Sequence, residues 1–243
     1  MRITTAAIIL SLRTHGEHGG VVRMLTPVHG LQAAYVRGAR GRRMRPVLMA
    51  GNLVEARLSA RTDSQLLHAE VELTHSQGPL LGEPLPVAAI EWASALTATV
   101  LPEGQAHPRL YAALDGLLAA VEAAPAASGW GAAMVLYELL LLSELGFGLD
   151  LDSCAVTGGS DDLVAVSPRS GRAISAVEAE PYAGKLLPLP PFVRVGGVAA
   201  SLPDVLDGLR LSGHFLMRDL VTDRAAPVAE ARARLVERIE RAA

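Results

Sequence analysis

The hydrophobic period of this chain changes once, and that change constrains its fold more than any other feature. From Ile3 to about Thr74 apolar residues recur every second position: Ile8, Leu10 and Leu12, then Val22 and Met24, then Leu31, Ala33 and Tyr35, then Val54, Ala56 and Leu58, then Leu67, Ala69, Val71 and Leu73. A period of two predicts half-buried antiparallel strands, because successive side chains point to opposite faces. The interruptions are turn-like: GEHGG (16–20), TPVHG (26–30), a long arginine-rich stretch (37–52) and RTDSQ (61–65). Five short strands in that length fit a small barrel, of which the OB-fold is the commonest five-stranded example, although other small barrels fit the same count.

A Gly/Pro-rich segment, SQGPLLGEPLP (76–86), separates this part from one with a helical period. Leu110, Leu114, Leu117, Leu118 and Val121 form one face of an amphipathic helix, and segments 87–101 and 131–146 are also predicted helices. The segment 131–146 is apolar almost all round, which places it centrally, and Gly146 and Gly148 end it. Leu163–Val166 and Ala173–Ile174 flank an SPRSG turn and predict a small hairpin. In the last part Val205, Leu209, Leu216 and Leu220 share one helical face, and Ala231, Leu235 and Ile239 share another. The expected architecture is α+β, divided as a barrel (1–78), a helical domain (79–153), a hairpin insert (154–191) and C-terminal helices packing on the helical domain (192–243).

Charge is distributed as unevenly as period. Up to Thr62 there are ten arginines against two glutamates, a net +8, which leaves −11 for the remainder of a chain whose formal total is −3. A cationic module on an acidic body points to an anionic partner for the first quarter. Arg37, Arg40, Arg42, Arg43 and Arg45 are the densest cluster, at the end of a strand and in the following loop. Five like charges repel one another, and phosphate relieves that repulsion. The plainer reading is a solvated loop with no partner. Arg13 and Arg23, on early strands, extend the same surface if they face outward. Tyr35 is the sole aromatic of the β-region. Its alternation with Leu31 and Ala33 assigns it to the core, which leaves a surface that grips mainly by charge.

Other groups carry less. His15, Glu17, His18 and His29 sit around turns without a supporting carboxylate cluster, and read as exposed turn residues rather than metal ligands. Asp161 and Asp162 beside Gly158 and Gly159 resemble a hairpin turn, since two-metal catalysis needs several converging carboxylates. No P-loop, G-x-S-x-G, H-E-x-x-H or G-x-G-x-x-G occurs. Arg232, Arg234, Arg238 and Arg241 alternate with Glu230, Glu237 and Glu240 and read as an ordinary solvated helix face. The single cysteine, Cys154, excludes an internal disulfide and fits a reducing cytoplasm. The N-terminal stretch lacks a cleavage site, and the apolar run 132–142 is too short to span a bilayer and contains Glu138, so no membrane association is expected.

The stretch LRTHGEHGGVVRMLTPVHGLQAAYVRGARGRRMR resembles the N-terminal signature of the RecO family, with its Gly-Glu turn, "LT…HG" turn and "RGAR" strand end in order. LPEGQAHPRLYAALDGLLAAV and ELLLLSELGFGLDLDSCAV…LVAVSPRSGRA resemble the family's helical segment and its approach to a zinc-finger region. The resemblance implies an OB-fold domain, a helical domain and a finger-like insert. It also implies binding of single- and double-stranded DNA, strand annealing, and assistance to RecA loading with RecR and single-stranded-DNA-binding protein (SSB). Arg37 and Arg40 match the RGAR pattern most closely. A pocket for the acidic, Phe-ended SSB tail is implied in the helical domain, although Arg109 reads no better than an ordinary helix-start residue.

One departure concerns zinc. Where many relatives carry two Cys-x-x-Cys pairs, this chain has Cys154-Ala-Val-Thr157 and Ser175-Ala-Val-Glu178. One thiolate with Thr, Ser and Glu is not a structural zinc set, so no metal and no cofactor are expected. The expected function is non-catalytic strand handling in recombination. An RNA-binding OB protein of translation or ribosome assembly is the principal alternative, followed by a nuclease on the acidic body and a purely structural subunit.

Overall fold

In the computed structural model, which describes residues 2–62, 65–124, 126–221 and 226–242, five strands close a barrel in the order β1-β2-β3-β5-β4. They are β1 (Arg2–His15), β2 (Gly19–Thr26), β3 (Gly30–Val36), β4 (Leu53–Ser59) and β5 (Leu67–His75). All neighbours are antiparallel except β3 and β5, which meet through Ala34↔Leu67 and Tyr35↔His68. That five-stranded closure is the OB-fold. The predicted 61–65 turn lies partly outside the described residues.

The strand β1 is long enough to pair with both β4, through its first half, and β2, through its second. A bulge between Ile9 and Ser11 lets it turn from one neighbour to the other. The bulge also upsets the alternation expected from sequence. The barrel interior takes Ala7, Ile9 and, past the bulge, Leu12, rather than Ile8, Leu10 and Leu12. Ile8 and Leu10 are buried as well, and helix α1 (Pro84–Val100) packs on this strand.

The phase of β3 is likewise opposite to expectation. Its register sets Val22 against Ala34 and Gly20 against Val36. Directly opposed residues share a face, so Ala34 and Val36 join Val22 and Met24 inside, and Ala33 and Tyr35 point outward. On β4 and β5 the expected interior set holds for Val54, Ala56, Leu58, Leu67, Ala69 and Val71, whereas Leu73 is exposed.

The TPVHG turn is closed by a buried threonine. Thr26 Oγ1 accepts from the His29 amide at 3.0 Å and donates to the Gly30 carbonyl at 2.9 Å. Gly30 has φ +64°, and a Cβ there would overlap the Gln105 carbonyl. Gly30→Ala is therefore expected to lower stability by about 1–3 kcal/mol, read as a drop in the urea midpoint.

Packing divides the chain into two compact units, residues 1–122 and 123–243. In the first, α1 and α2 (Pro108–Ala123) accompany the barrel, and α2 buries the predicted stripe Leu110, Leu114, Leu117, Leu118 and Val121. The finer division at 78/79, 153/154 and 191/192 stays a proposal about element type. In the second unit, α3 (Ala127–Glu144) packs against α6 (Leu202–Phe215), and Gly146 follows its C-terminus at φ +88°.

The expected hairpin is present as β7 (Leu163–Val166) and β8 (Arg172–Ser175), and it belongs to a larger sheet. That sheet runs β6-β8-β7-β9, with β6 at Asp150–Cys154 and β9 at Leu187–Pro188. Short helices α4 (Ala176–Ala179) and α5 (Pro191–Arg194) follow the hairpin and β9. Helix α6 begins with a capping box between Ser201 and Asp204, and a π-helical turn at Leu216–Leu220 extends it. The last helix, α7 (Ala226–Arg241), buries Leu235 and Ile239. No helix among the described residues is long and apolar enough to cross a membrane.

Candidate nucleic-acid interface

The stretch between β3 and β4 is a chain of ordered turns. Met44 and Arg45 both return amide hydrogen bonds to the Gly41 carbonyl, and Leu48 returns one to Met44. Ala39 and Leu48 are buried in the barrel core, with Met44 and Val47 packed against it. Asn52, fully buried, fixes the far end. Its side-chain amide donates to the carbonyls of Pro46 (2.8 Å) and Val47 (3.0 Å), and its oxygen accepts from the Gln77 amide (2.8 Å).

Apolar residues pointing in leave the arginines pointing out. Arg37, Arg40, Arg42, Arg43 and Arg45 are all exposed. Arg40 donates to the Glu17 carbonyl at 3.2 Å, which ties this segment to the β1–β2 turn. None of the five pairs with an acidic side chain among the described residues. The backbone that carries them is thus anchored to the barrel, and their charges are uncompensated among the described residues.

Arg13 is exposed on β1, opposite Val21. Arg23 is half-buried and bridges Glu103 at 3.1 Å, so its charge is largely offset. The two early arginines that sequence grouped together therefore stand in different environments.

Cross-strand registers define one outward row around the barrel: Arg13–Val21–Tyr35–His68–Ser59–Arg2. Tyr35 is half-buried on the outer face, not in the core as its alternation had indicated. The registers correct the assignment, because Tyr35 lies opposite Val21 and His68 rather than opposite interior residues. His15, exposed, meets the Tyr35 ring edge-to-face at 6.1 Å, and His68 does so at 5.6 Å.

A second outward row is acidic. Glu55 lies opposite Glu72, Arg57 lies opposite Glu70, and Arg57 bridges Glu55 at 3.4 Å. Arg43 borders this face across a shallow hollow of about 370 Å³. Three glutamates make this face repulsive to a polyanion, whereas the face bounded by β3, its arginine turns and the β1–β2 turn is cationic.

In the four-stranded sheet, the two positions that begin the degenerate Cys-x-x-Cys pairs come together. Cys154 Sγ is buried and lies 3.5 Å from Ser175 Oγ, and the Ser175 amide donates to it at 3.4 Å. These bonds, led by the Ser175 hydroxyl, push the thiol down to about 6, with desolvation opposing. Thr157 turns its hydroxyl to the Gly159 amide. A Cys, Thr, Ser, Glu set does not fit a structural zinc ion, and hydrogen bonds occupy the sulfur instead. Metal analysis of the purified protein is expected to return no stoichiometric zinc; one zinc per chain would refute this.

The solvated reading of α7 needs one correction. Arg234 and Arg241 pair along the surface with Glu230 and Glu237. Arg232 instead turns inward to Glu138 of α3, which is fully buried. Nothing in the local pattern of α7 distinguishes Arg232 from its neighbours; the signal was Glu138 within the apolar run 132–142.

Fold and charge define a class first, an OB-fold protein whose cationic barrel precedes an acidic, largely helical part. Sequence comparison then gives the family. Residues 1–76 match the family model described as "Recombination protein O N terminal", and 84–224 match "Recombination protein O C terminal". The chain is 45% identical over 237 residues to the DNA repair protein RecO of Caulobacter sp. (strain K31), covering 96% of this chain and 95% of that one. It is 45% identical over 246 residues to RecO of Rhodospirillum centenum (100% and 96%), and 42% identical over 245 residues to RecO of Bradyrhizobium sp. (100% and 97%). The chain belongs to the RecO family of DNA repair proteins.

Proposed function

We propose that this chain is a non-catalytic mediator that holds single strands on its barrel, anneals complementary strands and assists RecA loading together with RecR and SSB. The observation that carries the reading is the arginine segment. Its backbone is pinned by Asn52 and by buried Ala39 and Leu48, and its five guanidinium groups face solvent without acidic partners among the described residues. Arg37, Arg40, Arg42, Arg43 and Arg45 contact phosphate, Arg13 extends the path, and Arg23 contributes least because Glu103 offsets it.

A grip of this kind is sequence-tolerant and reversible, since its free energy comes from counterion release. Two strands bound that way can still meet and pair. Duplex DNA is bound by the same charges. The reading places the protein in the cytoplasm and needs neither metal nor cofactor. The part after the barrel supplies protein docking, including a site for the acidic SSB tail.

Annealing of two complementary SSB-coated strands tests this directly. The intact protein accelerates pairing, and Arg37→Ala/Arg40→Ala slows it while leaving the urea midpoint unchanged. Unlabelled RNA that displaced the labelled DNA more effectively than the same concentration of unlabelled DNA would favour the RNA-binding alternative. Loss of full-length strand with Mg²⁺ or Mn²⁺ would reveal a nuclease.

A further inference from the structure

The outward row Arg13–Val21–Tyr35–His68–Ser59–Arg2 has arginine at both ends and the Tyr35 ring near the middle, beside His68. Three neighbours fix that ring. His15 and His68 meet it edge-to-face, at interplanar angles of 84° and 80°. Beneath it is Gly19, where a Cβ would overlap the tip of the Tyr35 ring, so the absence of a side chain there is what lets the ring lie against the sheet. An aromatic held this way loses little conformational entropy on receiving a partner.

The ring lines a hollow of about 520 Å³ that also takes in Arg2, Thr4, Arg37, Ser59 and His68. That volume is within the usual range for small-molecule sites. Glu70 and Arg57 lie on its β4–β5 side, so the hollow carries charges of both signs. Glu70 balances Arg57 on that side, so the net positive charge lies with Arg2 and Arg37, and the ring between them suits a neutral planar group with hydrogen-bonding edges. Phosphates belong on its arginine rim.

We propose that this hollow holds one unpaired nucleobase of a bound strand against the Tyr35 ring, with Arg37 and Arg2 on the flanking phosphates. The inference rests on the strand-binding reading above and adds to it a reason to prefer single strands. A paired base has both faces stacked and cannot enter.

The test compares a fluorescein-labelled oligothymidine with an equally long strand of abasic spacers, bound to the full chain at one low salt concentration and followed by anisotropy. Both strands offer the same phosphates, and only one offers bases. The wild type binds the thymidine strand about tenfold more tightly or better. Tyr35→Ala abolishes that preference, Tyr35→Phe retains it, and neither variant alters the salt slope. Equal wild-type affinity for the two strands, or a preference that survives Tyr35→Ala, overturns the base pocket and leaves strand binding intact. Binding of neither strand at low salt would remove both.

Discussion

Arg232→Ala is expected to cost about 3–5 kcal/mol of unfolding free energy, because it strands a buried carboxylate. Glu138 is fully buried on α3. The Arg232 guanidinium reaches it with Nε at 3.3 Å from one oxygen and Nη2 at 3.1 Å from the other, the bidentate arrangement that suits arginine to carboxylate. The Ser212 hydroxyl of α6 also meets the carboxylate, and Arg232 donates to the Leu209 carbonyl. One network therefore joins α3, α6 and α7. Replacing Arg232 by Lys does not restore it, since a point charge cannot make the forked contact. Removing both charges as Glu138→Leu/Arg232→Leu recovers most of the loss, because no unpaired buried charge then remains. Urea denaturation followed by circular dichroism gives the magnitude. Amide exchange locates it, with protection lost in α3, α6 and α7 and retained in β1–β5.

Replacing Arg37, Arg40, Arg42, Arg43 and Arg45 together by alanine is expected to weaken single-strand binding by roughly a thousandfold at 0.1 M salt. Each phosphate contact with a single strand contributes about 0.7 to the salt slope, so five contribute about 3.5 and a comparable power of ten at that concentration. The fold should survive, because all five side chains are exposed and the anchoring residues Ala39, Met44, Leu48 and Asn52 remain. A variant that loses its cooperative unfolding transition has instead lost the anchor. A variant that keeps both its fold and its affinity shows that phosphate binds elsewhere.

The element types were legible because each was written in its own period. The leucine stripe of α2 and, apart from Leu73, the expected interior residues of β4 and β5 stand where alternation put them. The phase of β1 and β3 was not legible. A bulge shifts one, and both faces of β1 are buried, so Ala7–Leu10 offers no polar side to count from. In β3, Tyr35 looks like a core residue by size, yet the smaller Ala34 and Val36 fill the barrel, while Leu31 is fully buried outside that interior cluster. Pairing decided this, and pairing is a long-range property.

At the site, the arginines were legible from composition, but their compensation was not. Arg13 and Arg23 looked alike until Glu103 was found beside one of them. The acidic row on β4 and β5 was likewise spread over two strands and became a face only through their register. Arg232 was read as solvated because its partner is 94 residues away.

The central claim is that the barrel arginines hold single-stranded DNA by charge, and the salt dependence of affinity tests it most directly. Labelled single strand is titrated with the intact protein across a salt series, and with Arg37→Ala/Arg40→Ala alongside. The account predicts tight binding at low salt with a log–log slope of about −3.5, shallower by about 1.4 in the double variant. Absence of binding at low salt, or a slope that the variant leaves unchanged, would contradict it.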